Sequence, residues 1–157
     1  MDDIKLLVNA KINLSLNITG VRQDCYHILD MTIVSVDKFD ELRASKSDAS
    51  QAFMDGKLAD DGNTASKALK LLQDTYGVRM RVNIAKGIPF SAGMGGSSAD
   101  ASGVFVCASR LFGIPLAELM PLALKVGCDA PYMCYGGGAR VRGVGEIVQP
   151  MDIPSMT

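Results

Sequence analysis

Residues 88–102 read I-P-F-S-A-G-M-G-G-S-S-A-D-A-S and place small residues between a proline and the start of a predicted helix. Such a loop can bind an anion, because the unpaired N–H groups and the dipole of the helix face the ligand. Glycine lets the backbone approach phosphate oxygens without an intervening Cβ. Ser97 and Ser98 add hydroxyls for phosphate or a magnesium ion. The residues alone leave two interpretations open: a phosphate-binding loop, or a flexible connection packed closely on a helix.

Two common phosphate-binding patterns do not match this segment. The Walker pattern requires a lysine directly after its last glycine, and no lysine follows Gly96. The dinucleotide-binding pattern requires a third glycine three residues after the second, where this chain has Ser98. A phosphate-binding loop here would therefore be of another type.

Three polar residues elsewhere are candidates for chemistry. Lys11 and Asn13 lie two residues apart on a predicted strand, so their side chains share one face. Burying an ammonium group is costly, so Lys11 is either paired with a carboxylate or lies on an edge with its ammonium in water. Asp129 precedes Ala130 and Pro131, a setting that also suits a simple helix cap.

The elements that position these residues are predicted from their periodicity. Period-2 alternation and β-forming residues predict strands, and helical spacing with capping residues predicts helices. The predicted strands cover residues 4–8, 12–19, 28–36, 41–45, 78–85 and 139–142. The predicted helices cover residues 63–77, 98–112 and 115–126, and residues 46–62 are predicted to be irregular. Because strands come first and helices cluster later, we expect an α+β fold.

Composition limits the classes of function. The chain has 157 residues, enough for one domain with its own core. A net charge of −1 speaks against a nucleic-acid or membrane-binding surface. The start of the chain lacks the pattern of a signal peptide, and no apolar run is long enough to cross a bilayer. Four cysteines without a C-x-x-C pair and a single histidine predict reduced, mostly buried thiols in a cytoplasmic protein rather than a metal site.

Five segments resemble motifs of the GHMP small-molecule kinases, in the same order along the chain. Residues 89–99 resemble the family's P-x-x-x-G-L-G-S-S-A phosphate loop, with one extra glycine. The other four are similar to the family's P-A-K-I-N-L strand, T-G-x-R-x-D-G-Y-H loop, G-A-D-V-P turn and G-x-G-E segment: residues 9–14, 20–27, 127–131 and 139–146. Asn9 replaces the usual proline and Cys25 a glycine.

The extra glycine and the following Asp100-Ala101 resemble one branch of this family, the 4-diphosphocytidyl-2-C-methyl-erythritol kinases. The resemblance implies a fold similar to the second domain of a ribosomal protein, with a sheet and helices packed on one side. It implies that residues 1–157 form an N-terminal ATP-binding domain, and that the family's C-terminal domain is absent from this chain. A domain without its partner should expose an apolar patch.

The resemblance also implies roles for individual residues. Asp129 would be the base that accepts the hydroxyl proton of the acceptor, paired with Lys11. Asn13, Tyr26 and His27 would bind the acceptor, although an exposed Tyr-His pair is often incidental surface. The ATP site would comprise Gly93, Met94, Gly95, Gly96, Ser97, Ser98, Asn63 and Lys86. Asn63 could equally be only a helix cap, and Lys86 only a solvated turn residue. Mg²⁺ would be held mainly by ATP, with Ser98 as its one candidate protein ligand.

The activity implied by the resemblance is transfer of the γ-phosphoryl group of ATP to a small molecule that carries a cytidine diphosphate moiety. The implied partners are this substrate and, as a further expectation, a second copy of the chain in a homodimer. Three alternatives remain: a GHMP kinase for mevalonate, homoserine or a sugar; a non-catalytic nucleotide- or RNA-binding module; and an inert nucleotide-binding fragment. The near-neutral charge speaks against RNA.

Overall fold

The computed structural model describes residues 3–89 and 93–153, so Phe90, Ser91 and Ala92 of the glycine-rich segment lie outside the described residues. The strands are β1 (Ile4–Val21), β2 (His27–Lys46), β3 (Gln51–Met54), β4 (Lys57–Leu58), β5 (Met80–Ala85), β6 (Ala139–Gly143) and β7 (Ile147–Pro150). The helices are α1 (Thr64–Tyr76), α2 (Gly96–Phe112), α3 (Leu116–Val126) and α4 (Ala130–Tyr135). The predicted α+β class is confirmed. None of these helices is long and apolar enough to span a membrane.

All the strands belong to one sheet, in the order β4-β3-β5-β2-β6-β7, with β1 paired to β2. The 20-residue β2 organises this sheet because it is long enough to have several neighbours. Strand β1 follows it antiparallel from end to end. On its other edge, β2 pairs with β6 near its start and with β5 near its end. The pairing of β3 with β5 is parallel.

The first two strands are longer than predicted. Residues 4–8 and 12–19 belong to the single strand β1, and residues 28–36 and 41–45 to the single strand β2. Their pairing register shifts at Asn9/Ala10, Asn13/Ser15 and Ile18/Gly20. A bulge changes which side chains face the core without ending a strand. Because these bulges interrupt the alternation of side chains, the sequence pattern predicts two short strands where the structure has one long strand.

The apolar side chains in the second half of β1 are exposed, although their alternation with polar residues is typical of a half-buried strand. Ile12, Leu14, Leu16 and Ile18 are between 40% and 59% exposed. Alternation predicts which side chains share a face, but burial requires another element to cover that face. An apolar surface of this kind is expected where a further domain packs. The absent second domain stays a prediction.

Helix α2 is the central helix of the layer that packs on the sheet. It is buried through most of its length and contacts α1, α3 and α4 as well as β1 and β2. Gly103 allows the close approach, because a Cβ at this position would lie 2.5 Å from Leu42 Cδ2 of β2. The contact locks α2 to the sheet and so fixes the position of its N-terminus.

Four short elements are not predicted by the sequence pattern. Strands β3 and β4 lie within residues 46–62, which were expected to be irregular, and α4 and β7 follow the predicted helices. None of them has more than six residues. Segments of this length are too short for a period to be recognised. They form because neighbouring elements supply their hydrogen bonds, as β5 does for β3.

Candidate active site

The glycine-rich segment ends at the N-terminus of α2. Gly93 and Gly95 have φ values of 70° and 73°, in the left-handed region that glycine adopts without strain. Gly95 is the N-cap of α2 and forms no side-chain capping hydrogen bond. The first N–H groups of an α-helix have no partner within the helix. This geometry therefore suits a bound anion.

A cleft of about 430 Å³ lies in front of this helix terminus. Among the residues predicted to bind ATP, Gly93, Met94, Gly96, Ser97, Asn63 and Lys86 all line it. The lining does not include Gly95 or Ser98. Ser98 faces another way, because its Oγ lies 3.3 Å from the position of a Cβ on Gly127. Most of the predicted ATP-binding residues thus share one cavity.

The N-terminus of α1 borders the same cleft. The Asn63 side chain caps α1 by accepting a hydrogen bond from Ala65 N at 2.8 Å, so the capping interpretation of this residue is correct, and Asn63 also forms part of the cleft wall. Thr64, which was not among the predicted residues, donates from Oγ1 to the carbonyl oxygen of Ser97 at 2.7 Å. This hydrogen bond links the N-terminus of α1 to that of α2, and both N-termini border the cleft.

Lys11 and Asp129 form an ion pair next to the glycine-rich segment. Lys11 Nζ lies 3.3 Å from Asp129 Oδ2, and the two side chains are only 8% and 18% exposed. Lys11 Nζ also donates to Asn13 Oδ1 at 3.4 Å. The Lys11 ammonium is thus paired rather than extended into water. Asp129 directly precedes α4, but its side chain forms no capping hydrogen bond, so its carboxylate is not used as a helix cap.

Lys11 also contacts the glycine-rich segment itself. Its backbone N–H donates to the carbonyl oxygen of Met94 at 3.0 Å. A Cβ on Gly95 would lie 3.0 Å from Lys11 Cε. Lys11 therefore connects Asp129 to the helix terminus that faces the cleft.

The turn between β6 and β7 supports Asp129 from behind. A Cβ on Gly145 would lie 2.1 Å from the carbonyl oxygen of Cys128, closer than any side chain tolerates. The turn is closed by Glu146, whose Oε2 accepts a hydrogen bond from Val144 N at 2.7 Å. This gives the G-x-G-E segment a physical function, which is to let the turn pack directly on the backbone that carries Asp129.

Tyr26 lines a second hollow, of about 350 Å³, which extends to Cys128 beside Asp129. The loop that presents Tyr26 is held by Asp24, which pairs with Arg22 at 2.6 Å and accepts from Tyr26 N at 3.3 Å. His27 is exposed, begins β2 opposite Val21, and is not among the residues that line this hollow. The structure thus places Tyr26, but not His27, in the hollow next to the ion pair.

A buried cluster of charged residues lies at the base of the cleft. Lys86 Nζ donates to Asp40 Oδ2 at 2.5 Å and to Asp100 Oδ2 at 2.8 Å. The Lys86 side chain is 6% exposed, so the interpretation as a solvated turn residue is wrong. Sequence reasoning missed both aspartates as site residues. Asp100 was visible only as a mark of the family branch, and nothing in the sequence distinguishes Asp40.

The comparison with known proteins agrees with this geometry. Residues 63–137, which include α1, the cleft-facing part of α2 and Asp129, match the family model described as GHMP kinases N terminal domain. This part of the chain, just under half of its length, is therefore similar to the N-terminal domain of the GHMP kinases.

Two curated relatives of this chain have the same name. A 4-diphosphocytidyl-2-C-methyl-D-erythritol kinase of Clostridium botulinum (strain Eklund 17B / Type B) is 40% identical over 88% of this chain and 52% of its own length. The enzyme of the same name from Thermoanaerobacter sp. (strain X514) is 35% identical over 99% of this chain and 56% of its own. The chain therefore spans about half the length of the curated relatives it matches.

Solved structures of GHMP kinases share the fold. A crystal structure of 4-(cytidine 5'-diphospho)-2C-methyl-D-erythritol kinase superimposes with a TM-score of 0.77 and 32% identity, covering 96% of this chain and 56% of that one. The mevalonate kinase of Methanococcus jannaschii superimposes with a TM-score of 0.71 at 14% identity, over 96% of this chain and 56% of that one. The second likeness concerns the fold alone.

The buried cluster of Asp40, Lys86 and Asp100 has unusual electrostatics. Burial and the hydrogen bond with Asp40 raise the pKa of Asp100 from 3.8 to about 8, although Lys86 acts in the opposite direction. Burial would also raise the pKa of Asp40, but hydrogen bonds from Asp100, Lys86 and the N–H groups of Ile88 and Gly87 lower it. The cluster thus displaces the pKa values of its two carboxyl groups in opposite directions, that of Asp100 upward and that of Asp40 downward.

The donor set fits a magnesium ion that arrives with a nucleotide. Within residues 3–89 and 93–153, no group of three or more His, Cys, Asp or Glu side chains could hold a metal ion. Mg²⁺ retains several waters and is bound mainly through substrate phosphates in such sites. Ser97, whose side chain is exposed at the cleft, offers a single hydroxyl that is compatible with this mode of binding, whereas Ser98 does not line the cleft.

The four cysteines of the chain are free thiols, as predicted, but they are not mostly buried. Cys25 and Cys128 are exposed, whereas Cys107 is buried and Cys134 is partly buried. Burial raises the pKa of Cys107 and of Cys134 to about 12. These two thiols are therefore packing residues.

Proposed function

We propose that this domain carries the ATP site and the catalytic base of a 4-diphosphocytidyl-2-C-methyl-D-erythritol kinase, which transfers the γ-phosphoryl group of ATP to the 2-hydroxyl of its acceptor in isoprenoid synthesis. One observation carries the proposal: Lys11 contacts Met94 and Gly95 at the helix terminus while its ammonium pairs with Asp129. Lys11 thus lies between the N-terminus of α2, which would bind phosphate, and the Asp129 carboxylate. The names of the relatives support the choice of acceptor.

The donor nucleotide occupies the cleft of about 430 Å³ in this proposal. Its phosphates accept hydrogen bonds from the N–H groups of the first turn of α2, and the helix dipole favours their charge. Ser97 is exposed at the cleft and offers its hydroxyl. Mg²⁺ bound to the nucleotide neutralises charge that develops on the transferred group.

Phosphoryl transfer requires little covalent help from the protein, so positioning and proton removal are the main tasks. The Asp129 carboxylate accepts the proton of the attacking hydroxyl. Lys11 orients that carboxylate through the contact of 3.3 Å and is itself held by Asn13. A positioned base of this kind contributes about 10²–10⁴-fold in rate.

The acceptor's cytosine ring stacks on Tyr26 in this proposal, because the hollow that Tyr26 lines reaches Cys128, the neighbour of the base. A hydrogen bond from His27 to the cytosine edge is part of the same proposal, and it requires the exposed His27 side chain to turn toward the hollow. Mevalonate, homoserine and simple sugars have no base to stack on Tyr26. We place the protein in the cytoplasm, and a homodimer stays a prediction.

A phosphorus NMR assay of the product of the complete reading frame tests the proposal. With Mg-ATP and 4-diphosphocytidyl-2-C-methyl-D-erythritol, we expect a new phosphomonoester signal that is about 10²–10⁴-fold slower to appear in Asp129→Asn. Asp74→Asn is the matched control, since Asp74 is exposed and pairs with Lys70 on α1. If Mg-ATP binds but no phosphoryl group is transferred, the proposed nucleotide site stands and the proposed acceptor is wrong. Absence of nucleotide binding would reject the kinase itself.

A further inference from the structure

The buried cluster of Asp40, Lys86 and Asp100 joins three separate elements. Asp40 belongs to β2, Lys86 directly follows β5, and Asp100 lies near the start of α2. Their side chains are 0%, 6% and 2% exposed. Burying charged groups has a large desolvation cost, and well-packed apolar residues are often as stable. The cluster therefore calls for an explanation other than stability.

The Asp40 carboxylate holds the chain that leaves β5. Asp40 Oδ1 accepts hydrogen bonds from Gly87 N at 2.6 Å and from Ile88 N at 2.8 Å. Gly87 packs so closely here that a Cβ would lie 2.1 Å from the carbonyl oxygen of Phe39. The segment that leads into the glycine-rich loop is thus fixed to β2 by backbone contacts.

Asp100 connects this segment to the helix that faces the cleft. Its Oδ2 accepts from Lys86 Nζ at 2.8 Å. Its Oδ1 is buried and has no hydrogen-bond partner among the described residues. Gly96, the first residue of α2, lies against the same lysine, since a Cβ there would be 3.4 Å from Lys86 Nζ. The lysine therefore sets the separation between the end of β5 and the first turn of α2.

We propose that Asp40, Lys86 and Asp100 are positioning residues that hold the first turn of α2 in its phosphate-binding geometry before the nucleotide arrives. Lys86 lines the cleft, and its ammonium group donates hydrogen bonds to both Asp40 and Asp100. Directional ionic hydrogen bonds fix a separation that apolar packing would leave adjustable. The inference rests on the proposed nucleotide site.

Substitutions at Asp100 separate positioning from stability. Asp100→Leu keeps the branched shape of the side chain but has no acceptor for Lys86, so we expect the Kd for Mg-ATP to rise about 10- to 100-fold, as for loss of a charge-assisted hydrogen bond. We also expect the Tm to fall, because removal of one partner leaves the buried Lys86 ammonium less well compensated. Asp100→Asn keeps an oxygen acceptor for Lys86 and should bind Mg-ATP within about threefold of the original protein.

The measurement is isothermal titration of Mg-ATP into the product of the complete reading frame, with Tm values from the same preparations. Asp74→Leu, an exposed position that does not line the cleft, is the control. A Kd for Asp100→Leu within threefold of the original would overturn the inference. So would an equal loss of affinity and Tm in Asp100→Leu and Asp100→Asn, which indicates a purely structural role. If the unmodified protein does not bind Mg-ATP, the proposed function fails first, and the inference fails with it.

Discussion

Replacing Gly145 with alanine tests whether the turn between β6 and β7 holds the backbone that carries Asp129. Gly145 has a φ of 114°, which L-residues rarely adopt. Its new Cβ would also lie 2.1 Å from the carbonyl oxygen of Cys128. Relief of this overlap requires the turn or the backbone of Cys128 to move, and Asp129 would move with that backbone.

Two costs determine the magnitude. Backbone strain at such a residue is about 1–3 kcal/mol, and overpacking in a tight contact adds about 1–3 kcal/mol. Reduced entropy of the unfolded chain offsets about 0.4–1 kcal/mol. We expect a loss of about 1–6 kcal/mol in the free energy of unfolding, and each kcal/mol lowers Tm by about 2–4 °C in a chain of this size. A displacement of the base by about 1 Å can further reduce kcat about 10²-fold.

Gly113→Ala is the matched control for this experiment. Gly113 has a φ of 68°, but nothing lies within 4 Å of its added Cβ. The loss in the free energy of unfolding of Gly113→Ala therefore measures backbone strain alone, which we expect to be about 1–2 kcal/mol. Thermal unfolding followed by circular dichroism gives both Tm values, and the phosphorus NMR assay gives the rates. If Gly145→Ala is no more destabilising than Gly113→Ala, and transfer is equally fast in both, the turn does not support Asp129.

Three further changes have defined outcomes. Because the pKa of Asp100 is raised from 3.8 to about 8, its contribution to stability is complete below pH 3.8 and is lost as the pH rises through 8. Urea unfolding between pH 5 and 9 should therefore increasingly favour Asp100→Asn over the original, and a constant difference would contradict the raised pKa. Asn63→Ala removes the cap on Ala65 N and should cost about 1 kcal/mol in urea unfolding, whereas Asn63→Ser should retain most of it. Tyr132→Phe leaves the carbonyl of Gly137 without its hydroxyl partner and should cost about 1–3 kcal/mol, and an unchanged urea midpoint would show that this bond contributes nothing.

Long periodic elements were predictable because their patterns span several turns or many residues. Helix α1 begins after Asn63 and ends at Gly77, as its capping residues predict. Helix α2 begins at Gly96, two residues before the predicted start, because the left-handed Gly95 already serves as its N-cap. Strand β1 could not be predicted as one strand, because bulges interrupt its alternation.

The candidate site was predictable where a residue type is rare in its local setting. A lysine on an apolar strand indicated a partner, and the small residues before α2 indicated a helix terminus that an anion could approach. Asp40 was not predictable, because its partner Lys86 lies 46 residues away and no local pattern relates the two. Thr64 was missed for the same reason, since its hydroxyl bonds to the carbonyl of Ser97, 33 residues away.

The sequence by itself determined the α+β class, the capped helices and the glycine-rich segment before α2, because these depend on backbone preferences that operate over a few residues. Only the tertiary structure decided which charges are paired. Lys11 meets Asp129, and Lys86 meets Asp40 and Asp100, because the sheet and the helices packed on it bring distant segments together. Burial makes these pairings obligatory, since a charge removed from water needs a partner that only the folded chain can supply.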